Sequence, residues 1–371
     1  MLFRSEEGVL FDNFLLVRGG ELQEAALRQQ LATGPWPARN PDQTIADLRS
    51  QIAANEKGLQ ELQAMVAQFG RETVSAYMQH VQDNAEESVR RVITALKDGA
   101  YTLPLDNGAQ IQVAVTVHAQ TREATIDFTG TSAQLPNNFN APKAVTMAAV
   151  LYVFRALVDD DIPLNAGCLK PLRVVVPSGC MLNPHAPAAV VAGNVETSMC
   201  VTNALIGALG LMGASQCTMN NFTFGNERHQ YYETISGGSG AGPGFDGTDV
   251  VQTHMTNSRL TDPEVLEFRF PVRLDAYEIR HGSGGQGRWK GGCGGVRRVR
   301  FLEPMTAGIL SNGRHVPAFG MNGGRPGALG INRVERRDGQ VELLDHIGST
   351  QMGIDDVFVI ETPGGGGFGA A

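Results

Sequence analysis

The spacing of apolar residues along this chain changes from stretch to stretch, and each spacing predicts a different element. Between Thr44 and Leu96, seam positions recur at alternating steps of four and three residues: Leu48, Ile52, Asn55, Leu59, Leu62, Val66 and Phe69, then Val74, Tyr77, Val81, Ala85, Val89, Val92 and Leu96. That is a heptad seam. Gly70 divides it, so an antiparallel helical hairpin is expected. The hairpin either packs on itself over the domain or serves as a docking arm for a partner helix, and Asn55 reads as a register-setting polar residue. The step then shortens to two. Ile111, Val113, Val115 and Val117 alternate with polar residues, as do Ala124, Ile126 and Phe128, which predicts a β-hairpin turning near Gln120-Thr121. Continuous apolar runs at Ala144–Val158 and Met199–Ala214 predict buried helices.

Shorter signals fill in the rest. Val9–Phe14 reads as a strand, Gly19-Gly20 as a turn and Glu21–Leu31 as a helix, with Pro35, Pro37 and Pro41 breaking the chain. Strands are expected at Leu172–Val176, Leu274–Arg280, Val296–Leu302, Gly308–Ser311 and Val357–Glu361. The expected fold is α+β: a strand and helical hairpin over residues 1–100, and a glycine-rich, mixed β-rich core over 101–371.

Between Gly193 and Asp262 no period holds. Asn, Glu, Thr, Ser, Tyr and His are interleaved with glycine, and each buried polar group without a partner costs ~1–3 kcal/mol. Such a run suits the lining of a cavity better than a core. Gly193-Asn194-Val195-Glu196-Thr197-Ser198 has the hydroxyl chemistry of a helix N-cap, where free N–H groups suit an anion. Glu196 is there either an acid/base candidate or a first-turn carboxylate favoured by the same dipole. His254, flanked by Thr253, Thr256 and Asn257, is a general acid/base, a metal ligand, or a hydrogen-bonding histidine at a strand end. The glycines of Gly237–Gly247 could form an anion-cradling nest of N–H groups. Asp127 to Ser132 fits a site mouth or a loop cap, and Asp262 and Glu264 fit caps. His80, His118, His229, His281, His315 and His346 are read as structural.

Composition narrows the classes. The formal net charge of −8 and the isolated basic run Arg297–Arg300 give no nucleic-acid footprint. Glycine, 45 of 371 residues, has no collagen period, so it serves turns and close backbone approach. Five scattered cysteines without CxxC fit a reducing cytosol. The opening residues lack the apolar stretch of a signal peptide, and neither long apolar run spans a bilayer, so a cytoplasmic protein off the membrane is expected. Gly282 to Gly287 spells GxGxxG, but a loop follows where the dinucleotide fingerprint needs a helix. GxxxxGK[ST], HExxH and GxSxG are absent.

Several long runs resemble the hydantoinase B/5-oxoprolinase family. They are Asp47–Gly58, Ile126–Ser132, Asp161–Leu172, Ala188–Ser198, TMNNFTFGN at Thr218–Asn226, YYETISGGSGAGPGFDG at Tyr231–Gly247, Thr253–Glu267 and TPGGGGFG at Thr362–Gly369. The resemblance implies an ATP-driven opening of a cyclic amide, most closely 5-oxo-L-proline to L-glutamate. Hydantoin, another lactam or a ketone undergoing carboxylation are the alternatives, and an inactive scaffold is the non-enzymatic one. ATP and Mg2+ would be handled by an actin-like ATPase half of the hydantoinase A type, in a homo- or hetero-oligomer. Family members carry Asp and His residues resembling metal ligands in an N-terminal section. This chain is expected to start after that section, at Glu6-Glu7-Gly8, as a fragment with any metal site incomplete. Met199, Cys217 and Cys293 depart from the Gln, Gly and Asp expected there. On this reading Glu196 or Glu233 is the general acid/base and His254 a proton shuttle or ligand. Asn194, Thr197, Ser198, Asn220, Asn221, Gly238, Ser239 and Asn257 bind substrate. All of them are expected to converge on one pocket.

Overall fold

A computed structural model describes residues 7–371; the opening residues through Glu6, expected to lack a signal peptide, lie outside the described part. Two short strands, β1 (Val17–Arg18) and β2 (Glu21–Leu22), precede α1 (Glu24–Leu31), α2 (Pro41–Phe69) and α3 (Arg71–Ala95). The expected strand at Val9–Phe14 does not form, and α1 begins later than expected because the chain pairs as β2 first. Pro41, read as a breaker, instead opens α2. Its missing N–H costs nothing in a first turn, and the Asn40 side chain accepts from Gln43 N at 3.2 Å to cap the helix.

The hairpin forms, but its seam does not close. Only Ile45 is buried in α2, and Leu59, Leu62, Met65, Val66 and Phe69 stay 37–54% exposed. Across the turn, Tyr77, Met78 and Val81 are exposed too, whereas Ala85, Val89 and Ile93 are fully buried. The arm therefore projects, and only the second half of α3 is rooted in the core. That root crosses the boundary expected at residue 100, since Val89 and Ile93 pack in one cluster with Ile111 and Val113.

This first core lies between a sheet and helices. β3 (Gly99–Pro104), β4 (Gln110–His118), β5 (Glu123–Asp127) and, after α4 (Lys143–Ala156), β6 (Leu172–Val175) form a sheet in that order; β5 and β6 run parallel and the other pairs antiparallel. α5 (Ser198–Leu209) packs on β3 and β4 and is buried from Ser198 to Ala208, which is why its sequence shows no polar face. It ends at Gly210 in the left-handed conformation (φ 65°), a glycine C-cap.

The second core is a β-sandwich. β7 (Asn221–Gly225) and β8 (Gln230–Thr234) are followed by α6 (Pro263–Arg269), β9 (Val272–Ile279), β10 (Gly295–Phe301), β11 (Met305–Leu310), β12 (Ile331–Glu335), β13 (Val341–Leu344), β14 (Ile347–Met352) and β15 (Val357–Glu361). One sheet has the order β14-β11-β7-β8, the other β13-β12-β15-β10-β9. Phe222, Phe224 and Ile309 meet Val299, Phe358 and Ile360 between them, with the Phe222 and Phe358 ring centroids 4.8 Å apart. The fold is α+β, as expected. The β7–β8 hairpin is the main correction: Asn221–Gly225 and Gln230–Thr234, within runs read only as cavity lining, are strands.

The glycines have a common cause. The C-terminal run Pro363–Gly369 threads through the loops around Gly238, Gly291 and Gly324. Gly365 N donates to Gly292 O at 2.9 Å, Gly366 N to Ala214 O at 2.8 Å and Gly367 N to Arg325 O at 2.9 Å. A Cβ on Gly365 would overlap the Ser239 carbonyl, and one on Gly366 the Phe319 carbonyl. Backbone packs on backbone there, and only glycine permits the approach.

Candidate active site

Glu196 sits where the helix is wound too loosely. Gly193–Thr197 forms one π-helical turn running straight into α5, a local widening often found at functional positions. The expected N-cap is therefore absent. Thr197 is already helical, and its hydroxyl donates to Phe139 O at 2.5 Å, while Ser198 Oγ donates to Asn194 O at 2.5 Å. Both hydroxyls are buried and engaged with backbone carbonyls. The helix begins earlier, and its free amides already hold an anion: Val190 N and Val191 N donate to Glu7 Oε1 at 2.6 and 2.7 Å.

The π turn aims the Glu196 carboxylate, 0% exposed, at Thr218–Asn221, the segment leading into β7. Its Oε1 accepts from Thr218 Oγ1 (2.9 Å), Met219 N (2.9 Å) and Asn221 Nδ2 (2.7 Å), and its Oε2 from Asn312 Nδ2 (2.9 Å). Burial raises its pKa to about 7, against the opposing pull of these donors and the Arg314 charge. Arg314, buried and itself lowered to about 10 by desolvation, holds Asn220 Oδ1 at 2.6 Å, Asn312 O at 2.8 Å and Asn332 Oδ1 at 2.8 Å. Asn220 is thus an internal brace, with its amide also on Gln216 Oε1 and Ile235 O.

From Glu196 the network reaches a groove. Asn221 accepts from the Tyr232 hydroxyl at 2.7 Å, and partial desolvation of this half-exposed side chain raises the phenol pKa to about 12. Asn194, Asn221 and Tyr232 line a groove of about 1510 Å³ on the outer face of the β14-β11-β7-β8 sheet, together with Arg39, Thr223 and Ser349. Small-molecule pockets run to ~1,000 Å3, so this groove is larger than a single cyclic amide fills.

Glu233 does not face it. Its cross-strand partner is Phe222, whose ring lies in the sandwich core, and side chains alternate faces along a strand. Arg297 Nε donates to Glu233 Oε1 at 2.6 Å, Arg297 Nη2 to Oε2 at 3.1 Å and the Tyr231 hydroxyl to Oε2 at 2.7 Å. This is a buried ion pair inside the sandwich, so the expected convergence of Glu233 with Glu196 is not met. The run Arg297–Arg300 is split the same way, Arg297 inward and Arg298 outward onto Glu335 at 2.6 Å.

His254 comes from the loop that follows β8. Its Nδ1 lies 3.2 Å from the Tyr152 hydroxyl, its Nε2 is shielded without a partner, and burial lowers its pKa to about 4, so the ring is neutral at pH 7. Gln252 Oε1 and Thr253 Oγ1 are likewise buried and unpartnered. Gln252 Nε2 donates at 3.2 Å to Thr234 Oγ1, and Thr234 pairs across the hairpin with Asn221. Among the described residues no hydrogen bond joins His254 to Glu196. Asn257 is exposed and does not line the groove.

The glycine nest is closed. Gly238 N donates to Pro363 O, Ser239 N to Thr248 O and Gly247 N to Lys290 O, while Ser239 Oγ accepts from Thr248 N at 2.7 Å. With these amides engaged, Gly238 and Ser239 offer no phosphate cradle. Glu196 does not fit a metal either, because four protein donors already occupy its oxygens. Residue-by-residue reading missed Tyr232, Asn312 and Arg314, the last two lying outside the polar stretch; the polar SNGR run after the strand at Gly308 was their only signal.

Comparison with known proteins completes the picture. The family model described as hydantoinase B/oxoprolinase matches residues 4–371. A Dictyostelium discoideum 5-oxoprolinase is 41% identical over 98% of this chain, which spans 29% of that protein's length. The ATP-dependent caprolactamase from Pseudomonas jessenii superposes with a TM-score of 0.79 at 23% identity, over 96% of this chain and 65% of its own. Nucleotide-free acetone carboxylase gives 0.80 at 17% identity, over 95% and 56%. With this fold and a match along nearly its whole length, the chain belongs to the hydantoinase B/oxoprolinase family.

Proposed function

We propose that the chain is the ring-opening part of an ATP-dependent cyclic amide hydrolase, acting on 5-oxo-L-proline to give L-glutamate. One observation carries this reading: a buried carboxylate titrating near pH 7 lies one hydrogen bond behind a groove presenting Asn194, Asn221 and Tyr232. A pKa near the working pH suits a group that must both accept and return a proton. Asn194, Asn221 and the Tyr232 hydroxyl hold the ring by its amide and carboxylate. Asn221 Nδ2 exchanges its bond with Glu196 for one with the substrate, which opens Glu196 to a proton from attacking water. Glu196 returns that proton to the ring nitrogen as the C–N bond breaks. His254, neutral and unpartnered at Nε2, is the second group available for proton transfer.

ATP with Mg2+, bound by an actin-like ATPase partner of the hydantoinase A type, supplies activation of the lactam oxygen. The engaged amides of the glycine loops support placing the nucleotide on that partner. The surplus volume of the groove is room for the partner to close over the ring and exclude water. The reading places the protein in cytoplasmic glutathione metabolism as a homo- or hetero-oligomer.

The test is ATP-dependent 5-oxo-L-proline hydrolysis by the chain combined with its ATPase half. Glu196→Gln is expected to lower kcat on the order of 100-fold, and Asn194→Ala to raise KM with little change in kcat. Undiminished turnover by Glu196→Gln removes that residue from the chemistry. Activity confined to hydantoin, another lactam or a ketone with bicarbonate would keep the groove and change the substrate.

A further inference from the structure

Three metal-type side chains meet outside the groove. Among the described residues, His315, Asp345 and His346 form the one group of His, Cys, Asp or Glu whose ligand atoms all lie within 4.8 Å of one another. His315 Nε2 is 2.6 Å from Asp345 Oδ1, and His346 Nδ1 is 2.9 Å from the same oxygen. The two rings stand 5.8 Å apart at 76°. That oxygen also accepts the His346 N–H at 2.6 Å. One carboxylate oxygen has two lone pairs, so two ring N–H groups and a backbone N–H crowd it. A cation between the three side chains removes the conflict: each ring then presents a lone pair, and the carboxylate its charge. His346 offers Nδ1 for this, because its Nε2 is buried and unreachable.

The backbone carrying these residues is pinned before any ion arrives. Asp106, from the turn between β3 and β4, accepts from Arg314 N at 2.7 Å, His315 N at 3.1 Å and Val316 N at 2.8 Å. Asn332 Nδ2 donates to Asp345 O at 3.0 Å, and Ser311 donates to His346 O from N at 2.9 Å and from Oγ at 2.8 Å. Ligands held this way lose little freedom on binding. The His315 and Asp345 side chains are 56% and 57% exposed, which leaves an entry path and room for water in the remaining coordination positions.

We propose that His315 Nε2, the Asp345 carboxylate and His346 Nδ1 bind one divalent transition-metal ion of the Zn2+ class, with solvent completing the coordination. Two imidazoles and one carboxylate suit Zn2+, Co2+ or Ni2+, whereas Mg2+ and Ca2+ take oxygen donors. The site is independent of the amide-hydrolase reading: none of its three side chains bonds to Glu196, Asn221 or Tyr232.

The experiment is titration of chelator-treated chain with Zn2+ by calorimetry, and with Co2+ by visible absorption. One ion per chain is expected, with Co2+ giving ligand-field bands. His315→Ala and Asp345→Asn, both at exposed side chains and checked for an unchanged circular dichroism spectrum, should each weaken binding at least tenfold, since even outer-shell partners of a metal ligand are worth about 10–100-fold. Wild-type chain that takes up no Zn2+ below about 1 mM, a weak limit near −4 kcal/mol, overturns the proposal. So does wild-type affinity and stoichiometry in both variants, which would move the ion to other donors.

Discussion

At the residue scale, burial decides what each ionisable group can do. Glu196 and Glu233 are both buried carboxylates in the same polar stretch, and nothing in their local sequence separates them. Glu196 meets neutral amides and a hydroxyl, so desolvation dominates and its pKa rises to about 7. Glu233 meets the guanidinium of Arg297, a bidentate partner that makes it a brace of the sandwich. A raised carboxylate pKa has a stability signature. The folded state binds the proton more tightly than the unfolded chain, so the contribution is fully present below the unfolded pKa of 4.5 and is lost as pH rises through about 7. By linkage this amounts to about 3 kcal/mol. Glu196→Gln removes the titration, so the Tm of wild type relative to that variant should fall as the pH is raised across this window. A difference that stays flat, measured by differential scanning calorimetry, would contradict a near-neutral Glu196. His254 acts in the opposite sense, because its lowered pKa favours the folded state above pH 6.5 and loses that advantage as pH falls toward 4.

At the element scale, the elements with a strong period were legible and those built from polar residues and glycine were not. The helices at Pro41–Phe69 and Arg71–Ala95 and the β4–β5 hairpin follow from periods of 3.5 and 2. β7 and β8 carry alternation as well, with Phe222 and Phe224 inward and Thr223 outward, but amides and hydroxyls on the outer face masked it. The outer face lines the groove, so the residues that obscured the strand period are the ones that line it. The glycine-rich C-terminus shows the converse case, where an apparent ligand loop is packing. Gly365→Ala would push a methyl into the Ser239 carbonyl. Overpacking of this kind costs typically ~1–3 kcal/mol. Urea unfolding should show the loss, with the α-helical signal of the folded state unchanged. A neutral result would mean the glycine layer can open.

At the scale of the whole molecule, two cores meet along the glycine layer and the Asp106–Arg314 contact, and a helical arm projects from one of them. The arm carries an apolar seam, Leu59, Leu62 and Phe69, that stays exposed among the described residues. Exposed side chains contribute little to stability, usually within ~0.5 kcal/mol. Leu62→Lys with Phe69→Lys should therefore leave the Tm of the isolated chain unchanged, and a clear drop on thermal unfolding would show that the seam is packed. The chain spans under a third of the length of the Dictyostelium protein it matches.

The amino-acid sequence alone determined the α+β class, the helical hairpin, the family and the stretch that houses the groove. These depend on period, composition and long matching runs, all of which are properties of neighbours along the chain. Only the tertiary structure decided which polar residues work together. It joined Glu196 to Asn312 across 116 positions and sent Glu233 to the far face of its sheet. It also drew His315 to Asp345 across 30 positions. A side chain's protonation and partners follow from what surrounds it in space, and in this fold those surroundings come from distant parts of the chain.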